Sequence, residues 1–178
     1  MQDALVKIDS ILWKSTEDVH FMDLTEDGWL HLHLFWYSIC SCRLEELQKK
    51  TYDFIIVDGW YYKILARYLV KKSYTVQYLR TLFSRLYLPD MIFYLLVPAS
   101  ECYARKSSFT KCELGGADGH SGNSQDSFIA YQTSVQEKYF DILNVRNNSS
   151  SIMKVDNKNI NITVSTIFNN LTKTEHTK

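Results

Sequence analysis

LPDMIFYLLVPASECYARK, residues 88–106, passes from an unbroken apolar run into a segment with helical spacing, and this transition sets the fold class. Met91 to Val97 (MIFYLLV) reads as a strand buried on both faces. Pro98 stops it, and Ala99 to Lys106 reads as a helix. Two other short apolar runs behave the same way, Asp53 to Val57 (DFIIV) and Ser151 to Val155 (SIMKV), each ending at a polar or turn residue. Helical spacing fills the intervals. Its clearest case is the stripe Trp29, Leu32, Trp36, Tyr37, Cys40, Leu44 and Leu47, with Thr25 as a candidate cap. Further helices are expected over Leu5–Trp13, Trp60–Lys71, Thr75–Leu86, Gln125–Leu143 and Asn159–Leu171. Strands alternating with helices imply parallel strands joined by crossovers, hence a three-layer α/β/α domain with a parallel sheet. Ligands in such sheets bind at the carboxyl ends of the strands. That points to Asp58, to Pro98 and beyond, and to Asp156.

With 178 residues, 46% hydrophobic and 14% aromatic, the chain suffices for one domain with a real core, expected over 1–172 with a tail at 173–178. Lys+Arg and Asp+Glu are 20 each, so the net charge is zero and the global pull of a nucleic-acid or membrane-surface binder is missing. Four cysteines at 40, 42, 102 and 112 form no CxxC pair. Cys40 with Cys42, and His31 with His33, stand two apart in an expected helix and point to nearly opposite faces, which argues against shared metal ligation. Asp3 and Lys7 interrupt the N-terminal region, and no run approaches the ~18 apolar residues of a membrane span. A cytoplasmic protein is expected. The Asn-x-Ser/Thr sequences at Asn147, Asn161 and Asn170 then remain unmodified.

The candidate chemistry gathers at strand ends and in one loop. Asp58, after the DFIIV run, could organise a magnesium ion or a substrate hydroxyl, or simply cap the next helix. Lys63 and Arg67 lie four apart and so share a helix face that could reach an anion. Among Phe35, Trp36 and Tyr37, one ring could stack on a base while the others pack in the core. Residues 107–127 hold four of the six glycines and few apolar side chains, the composition of a functional lid or an unstructured loop. Arg105 and Lys106 precede this loop and Lys111 lies within it. Cations there could close over phosphates, or merely favour a helix C-terminus.

Taken in order, IIVDGWYYKILARY (55–68), LPDMIFYLLVPASECYARK (88–106), the loop FTKCELGGADGH (109–120) and FIAYQTSVQEKYFDIL (128–143) resemble the thymidylate kinase-like branch of the P-loop nucleoside monophosphate kinases. WLHLHLFWYS (29–38) resembles the helix that lines the monophosphate pocket in that family. The resemblance spans nearly the whole chain. It implies a P-loop NTPase-like fold and a cytoplasmic kinase that transfers the γ-phosphoryl group of ATP, with Mg2+, to dTMP or a related nucleoside 5′-monophosphate. A homodimer is a further family trait.

The resemblance also implies site roles. Asp58 and Arg105 would be catalytic, with Asp58 serving the metal. Phe35, Trp36, Tyr37, Trp60, Tyr62, Lys63 and Arg67 would hold the substrate, Lys106, Lys111 and Glu113 would belong to a lid at about 105–127, and Asp156 would face the cofactor. Two departures qualify this assignment. Gly59 stands where the family has a phosphate-binding arginine, which leaves Lys63 or Arg67 to substitute. These residues contain no GxxxxGK[ST] loop, the family's source of backbone N–H groups for the ATP phosphates, and the first strands are missing with it. The expectation is a truncated kinase that could be inactive as it stands; the alternative is a non-catalytic nucleotide- or protein-binding module derived from a kinase fold.

Overall fold

The computed structural model describes residues 2–13, 24–120, 122, 124–144, 151–156 and 159–175. Among them run seven helices and two strands: α1 (Gln2–Trp13), α2 (Glu26–Gln48), α3 (Tyr62–Val70), α4 (Val76–Leu82), β1 (Met91–Leu96), α5 (Ala99–Ala104), α6 (Gln125–Asn144), β2 (Ser151–Asp156) and α7 (Ile160–Glu175). The fold is mixed α/β. β1 and β2 pair in parallel, from Met91 opposite Ser151 to Leu96 opposite Asp156. Parallel neighbours need a crossover, and α5, the glycine-rich loop and α6 supply it.

The chain divides into two compact units, Met1–Tyr61 with Gln77–Tyr87, and Tyr62–Val76 with Leu88–Lys178. In the first, α2 starts at the expected cap. Thr25 is extended (ψ 163°) and its side chain accepts a hydrogen bond from the Gly28 N–H, satisfying one of the donors that a helix start leaves open. The face of α2 that is fully buried passes through Leu30, Tyr37 and Ser41. The expected stripe residues Trp29, Leu32, Trp36, Cys40, Leu44 and Leu47 are half-buried beside it. Ser41 enters because its hydroxyl accepts from the Tyr87 N–H at 2.9 Å, the condition on which a polar group is buried. Tyr37 meets Trp60 edge-on at 5.4 Å and Tyr61 at 6.1 Å, and Tyr61 stacks on Phe83 at 5.5 Å.

The second unit is built on α3 packed along α6. Tyr62, Leu65 and Leu69 of α3 and Phe128, Tyr131, Val135 and Leu143 of α6 are buried, the latter at helical steps that make one face. Burial of each such side chain contributes about 1.5–3 kcal/mol. Tyr94 of β1 contacts both Tyr139 and Phe140 at 4.8 Å, and Lys154, its register partner on β2, lies 4.0 Å over the Phe140 ring. Burial, then the neighbouring Tyr94, pushes the Tyr139 phenol up to about 12.

Two expectations are corrected. Asp53–Val57 is not a buried strand. The sheet of the described residues contains β1 and β2, and Phe54, Ile55, Ile56 and Val57 are 43, 37, 84 and 45% exposed. An apolar run becomes a strand only where a neighbour supplies hydrogen bonds and cover, and no described strand stands beside it. The loop after α5 is also not structureless. Phe109 stacks on Tyr103 at 4.7 Å and meets Phe128 at 4.9 Å. A chain of turns follows, closed by hydrogen bonds from Glu113 N to Thr110 O (3.0 Å), Gly116 N to Lys111 O (2.8 Å) and His120 N to Gly115 O (3.0 Å).

Candidate functional site

A polar cluster of the second unit forms where this loop meets α3. Gly115 (φ 78°) and Gly119 (φ 86°) flank a single 3-10 turn, Gly116–Asp118. Left-handed backbone at both ends is where glycine is needed. A Cβ on Gly115 would also lie 2.6 Å from the Tyr131 ring, whereas the same position at Gly119 faces open space. The turn delivers Asp118, whose side chain is 4% exposed, to the cationic face of α3. Its carboxylate accepts from Arg67 Nε at 2.8 Å and from Arg67 Nη2 at 3.1 Å, a bidentate fork. Lys71 Nζ lies 3.4 Å away. The Tyr131 hydroxyl donates to the same carboxylate and accepts from Arg67 Nε at 3.2 Å. The His120 ring stands 5.0 Å from that of Tyr131.

Charge in this cluster is settled by pairing against burial. Burial alone would raise the Asp118 carboxyl, but the hydrogen bond and charge of Arg67 outweigh it and hold the group below the usual carboxylate range. Burial disfavours the Arg67 cation, and the Asp118 hydrogen bond with the neighbouring groups reverses this, raising it further. Burial raises the Tyr131 phenol, which stays a neutral donor. Two cations, Arg67 and Lys71, thus share the Asp118 carboxylate.

A second contact holds the other arm of the loop. Lys106 pairs with Glu113 and lies 5.9 Å from the Phe109 ring centre. Glu113 also accepts from Thr110 N (2.9 Å) and Thr110 Oγ1 (3.0 Å). These bonds, chiefly that of Lys106, overcome the effect of burial and lower the Glu113 carboxyl. Gln132 of α6 donates to the Glu113 carbonyl at 2.7 Å.

The residues singled out in the sequence are distributed as follows. Arg67 is at the centre of the cluster, whereas Lys63 is exposed on α3. Arg105 pairs with Glu101 at 3.3 Å on its own helix, and Lys111 is exposed, its chain bracing Gly116. Tyr62 is 2% exposed and packs against Tyr139, and Tyr37 is 8% exposed, so both are core rings. Phe35 is exposed and Trp36 half-buried. Trp60 donates through its indole N–H to the Tyr87 carbonyl at 3.1 Å. Asp58 is exposed at the end of the unpaired 53–57 segment rather than closing a buried strand. Asp156 ends β2, and its side chain lies outside the described residues. His31 and His33 each donate from Nδ1 to the carbonyl four residues back, of Asp27 and Trp29, at 2.8 Å. Among the described residues no group of three or more His, Cys, Asp or Glu could hold a metal ion. None of their helices is long and apolar enough to cross a membrane.

Asp118, Tyr131, Lys71 and His120 were not singled out by sequence reasoning. The signal was present in Gly-Gly-Ala-Asp-Gly-His, where a carboxylate sits within a glycine turn, and in Lys71, which follows Arg67 at the same spacing of four. No protein-family model, curated protein or solved structure matches this chain.

Proposed function

We propose that this chain carries the acceptor and lid portion of a P-loop nucleoside monophosphate kinase of the thymidylate kinase-like type, in a three-layer α/β/α arrangement. The observation that supports it is the grip of α3 on the glycine-rich loop. The chain leaves the carboxyl end of β1, enters α5 and the loop, and the loop is drawn onto Arg67 of α3 and Lys71 just beyond its end. Cations and a glycine-hinged loop thereby converge at one place, as phosphoryl transfer by positioning and charge neutralisation requires.

Exposed Lys63 is the side chain proposed to take the acceptor phosphate. Mg2+ is commonly held by one or two carboxylates together with substrate phosphates. Asp58 alone meets that requirement at its minimum, and Mg2+ would supply charge neutralisation between the phosphates of ATP. Arg105, Lys106 and Lys111 are proposed to stabilise the transferring group. A second reading, a non-catalytic binding module, draws support from the exposed apolar run Phe54–Val57, the kind of surface that binds another protein.

Titration of this chain with a panel of nucleoside monophosphates tests the acceptor site. Binding that is at least tenfold weaker in Lys63→Glu is expected, and unchanged binding removes Lys63 from the site. ATP-dependent phosphorylation of the same panel is then compared between this chain and one extended upstream to any in-frame phosphate-binding loop. Activity in the extended form supports the kinase; folded protein inactive in both forms favours the binding module.

A further inference from the structure

We propose that Arg67, Lys71 and Tyr131 form a binding site for a phosphate or pyrophosphate group, and that Asp118 occupies it as an internal competitor, latching the Gly115–Gly119 turn onto α3. The Arg67 fork grips two oxygens of Asp118 in the bidentate manner that equally suits phosphate. Asp118 brings one negative charge to two cations, Arg67 and Lys71. A phosphate dianion would bring a second negative charge and offer three acceptor oxygens instead of two. Tyr131 stays protonated and would donate to the ligand as it donates to Asp118.

The turn is a closed unit. Gly115 lies against the Tyr131 ring, Gly119 is left-handed with room at its Cβ position, and the His120 N–H bonds back to the Gly115 carbonyl at 3.0 Å. Asp118 lies between the two glycines. Exchange of its carboxylate for a ligand phosphate would free the turn without disturbing Phe109, which is held separately by Tyr103 and Phe128. The latch keeps the site occupied by Asp118 until a phosphorylated ligand arrives.

The inference deepens the proposed function and rests on it for the source of the phosphate, so the probe is inorganic pyrophosphate, which involves no nucleoside and no transfer. Calorimetric titration is expected to show pyrophosphate binding Asp118→Asn at least tenfold more tightly than the wild-type chain, because the tethered competitor is gone. Adding Arg67→Gln to Asp118→Asn should abolish that binding. Equal affinity in wild type and Asp118→Asn, no binding by either, or binding that survives Arg67→Gln would each overturn the proposal.

A measurement on the unmutated chain guards against a variant that fails to fold. Pyrophosphate should accelerate tryptic cleavage at Lys111 severalfold, since Gly116 donates to the Lys111 carbonyl and freeing the turn loosens it. An unchanged or slower rate also overturns the latch. A chain that responds to pyrophosphate in this way yet phosphorylates no nucleotide keeps the latch and loses the kinase reading; the reverse pattern loses the latch alone.

Discussion

Replacing Asp118 with asparagine keeps the shape of the side chain and removes its charge, leaving Arg67 and Lys71 without their shared anion. Removing one member of a fully buried ion pair costs about 3–5 kcal/mol. Here Asp118 is 4% exposed, but Arg67 and Lys71 retain 22 and 21%. Water therefore reaches both cations, and the asparagine carbonyl can still accept one hydrogen bond. We expect a loss of about 2–3 kcal/mol at neutral pH. With a urea slope of about 2 kcal/mol per molar, that lowers the unfolding midpoint by roughly 1–1.5 M.

The pH dependence sharpens the test. The folded Asp118 carboxyl lies below its unfolded value of about 3.9, so its contribution is fully present above that value and is lost as pH falls through the folded pKa. The gap between wild type and Asp118→Asn should be constant from about pH 5 to 8 and close in acid, below about pH 4. Glu113 is also lowered and titrates in the same window, so Glu113→Gln serves as the control. Urea unfolding followed by tryptophan fluorescence across this pH range reads both quantities. A midpoint shift under about 0.3 M, or a gap that persists unchanged to pH 2, would refute the assignment of Asp118 as a buried, ionised anchor.

Four other substitutions probe separate features. Ile56→Lys, at a position 84% exposed, should leave thermal stability within about 0.5 kcal/mol and reduce aggregation in light scattering; a loss of 2 kcal/mol or more would restore the buried strand expected from sequence. Thr25→Ala should cost about 1 kcal/mol in urea unfolding through the lost bond to Gly28, and no loss would refute the cap. Gly115→Ala combines a left-handed backbone with a Cβ 2.6 Å from the Tyr131 ring and should cost about 2–4 kcal/mol, whereas Gly119→Ala should cost only the backbone part, about 1–2 kcal/mol.

Local physics made much of this protein legible from its residues. Met91–Leu96 and Ser151–Asp156 are strands where the apolar runs placed them, each pairing with the other in parallel. Thr25 caps α2 because a threonine before an acidic first turn satisfies an open N–H without help from elsewhere. The spacing of Lys63 and Arg67 along α3 was also readable, since it depends only on the helical repeat.

Tertiary structure decided which of these local possibilities were used. DFIIV has the same apolar character as MIFYLLV, yet it stands exposed while MIFYLL pairs with β2, because a ladder depends on a neighbour that no property of the run itself can specify. Of two residues on one face of α3, Arg67 is half-buried in a four-residue network and Lys63 remains in solvent. That choice was made by a glycine turn 51 residues further on, which brings Asp118 to one cation and not the other. Periodicity reports the face a side chain shares; only the folded chain determines what stands opposite it.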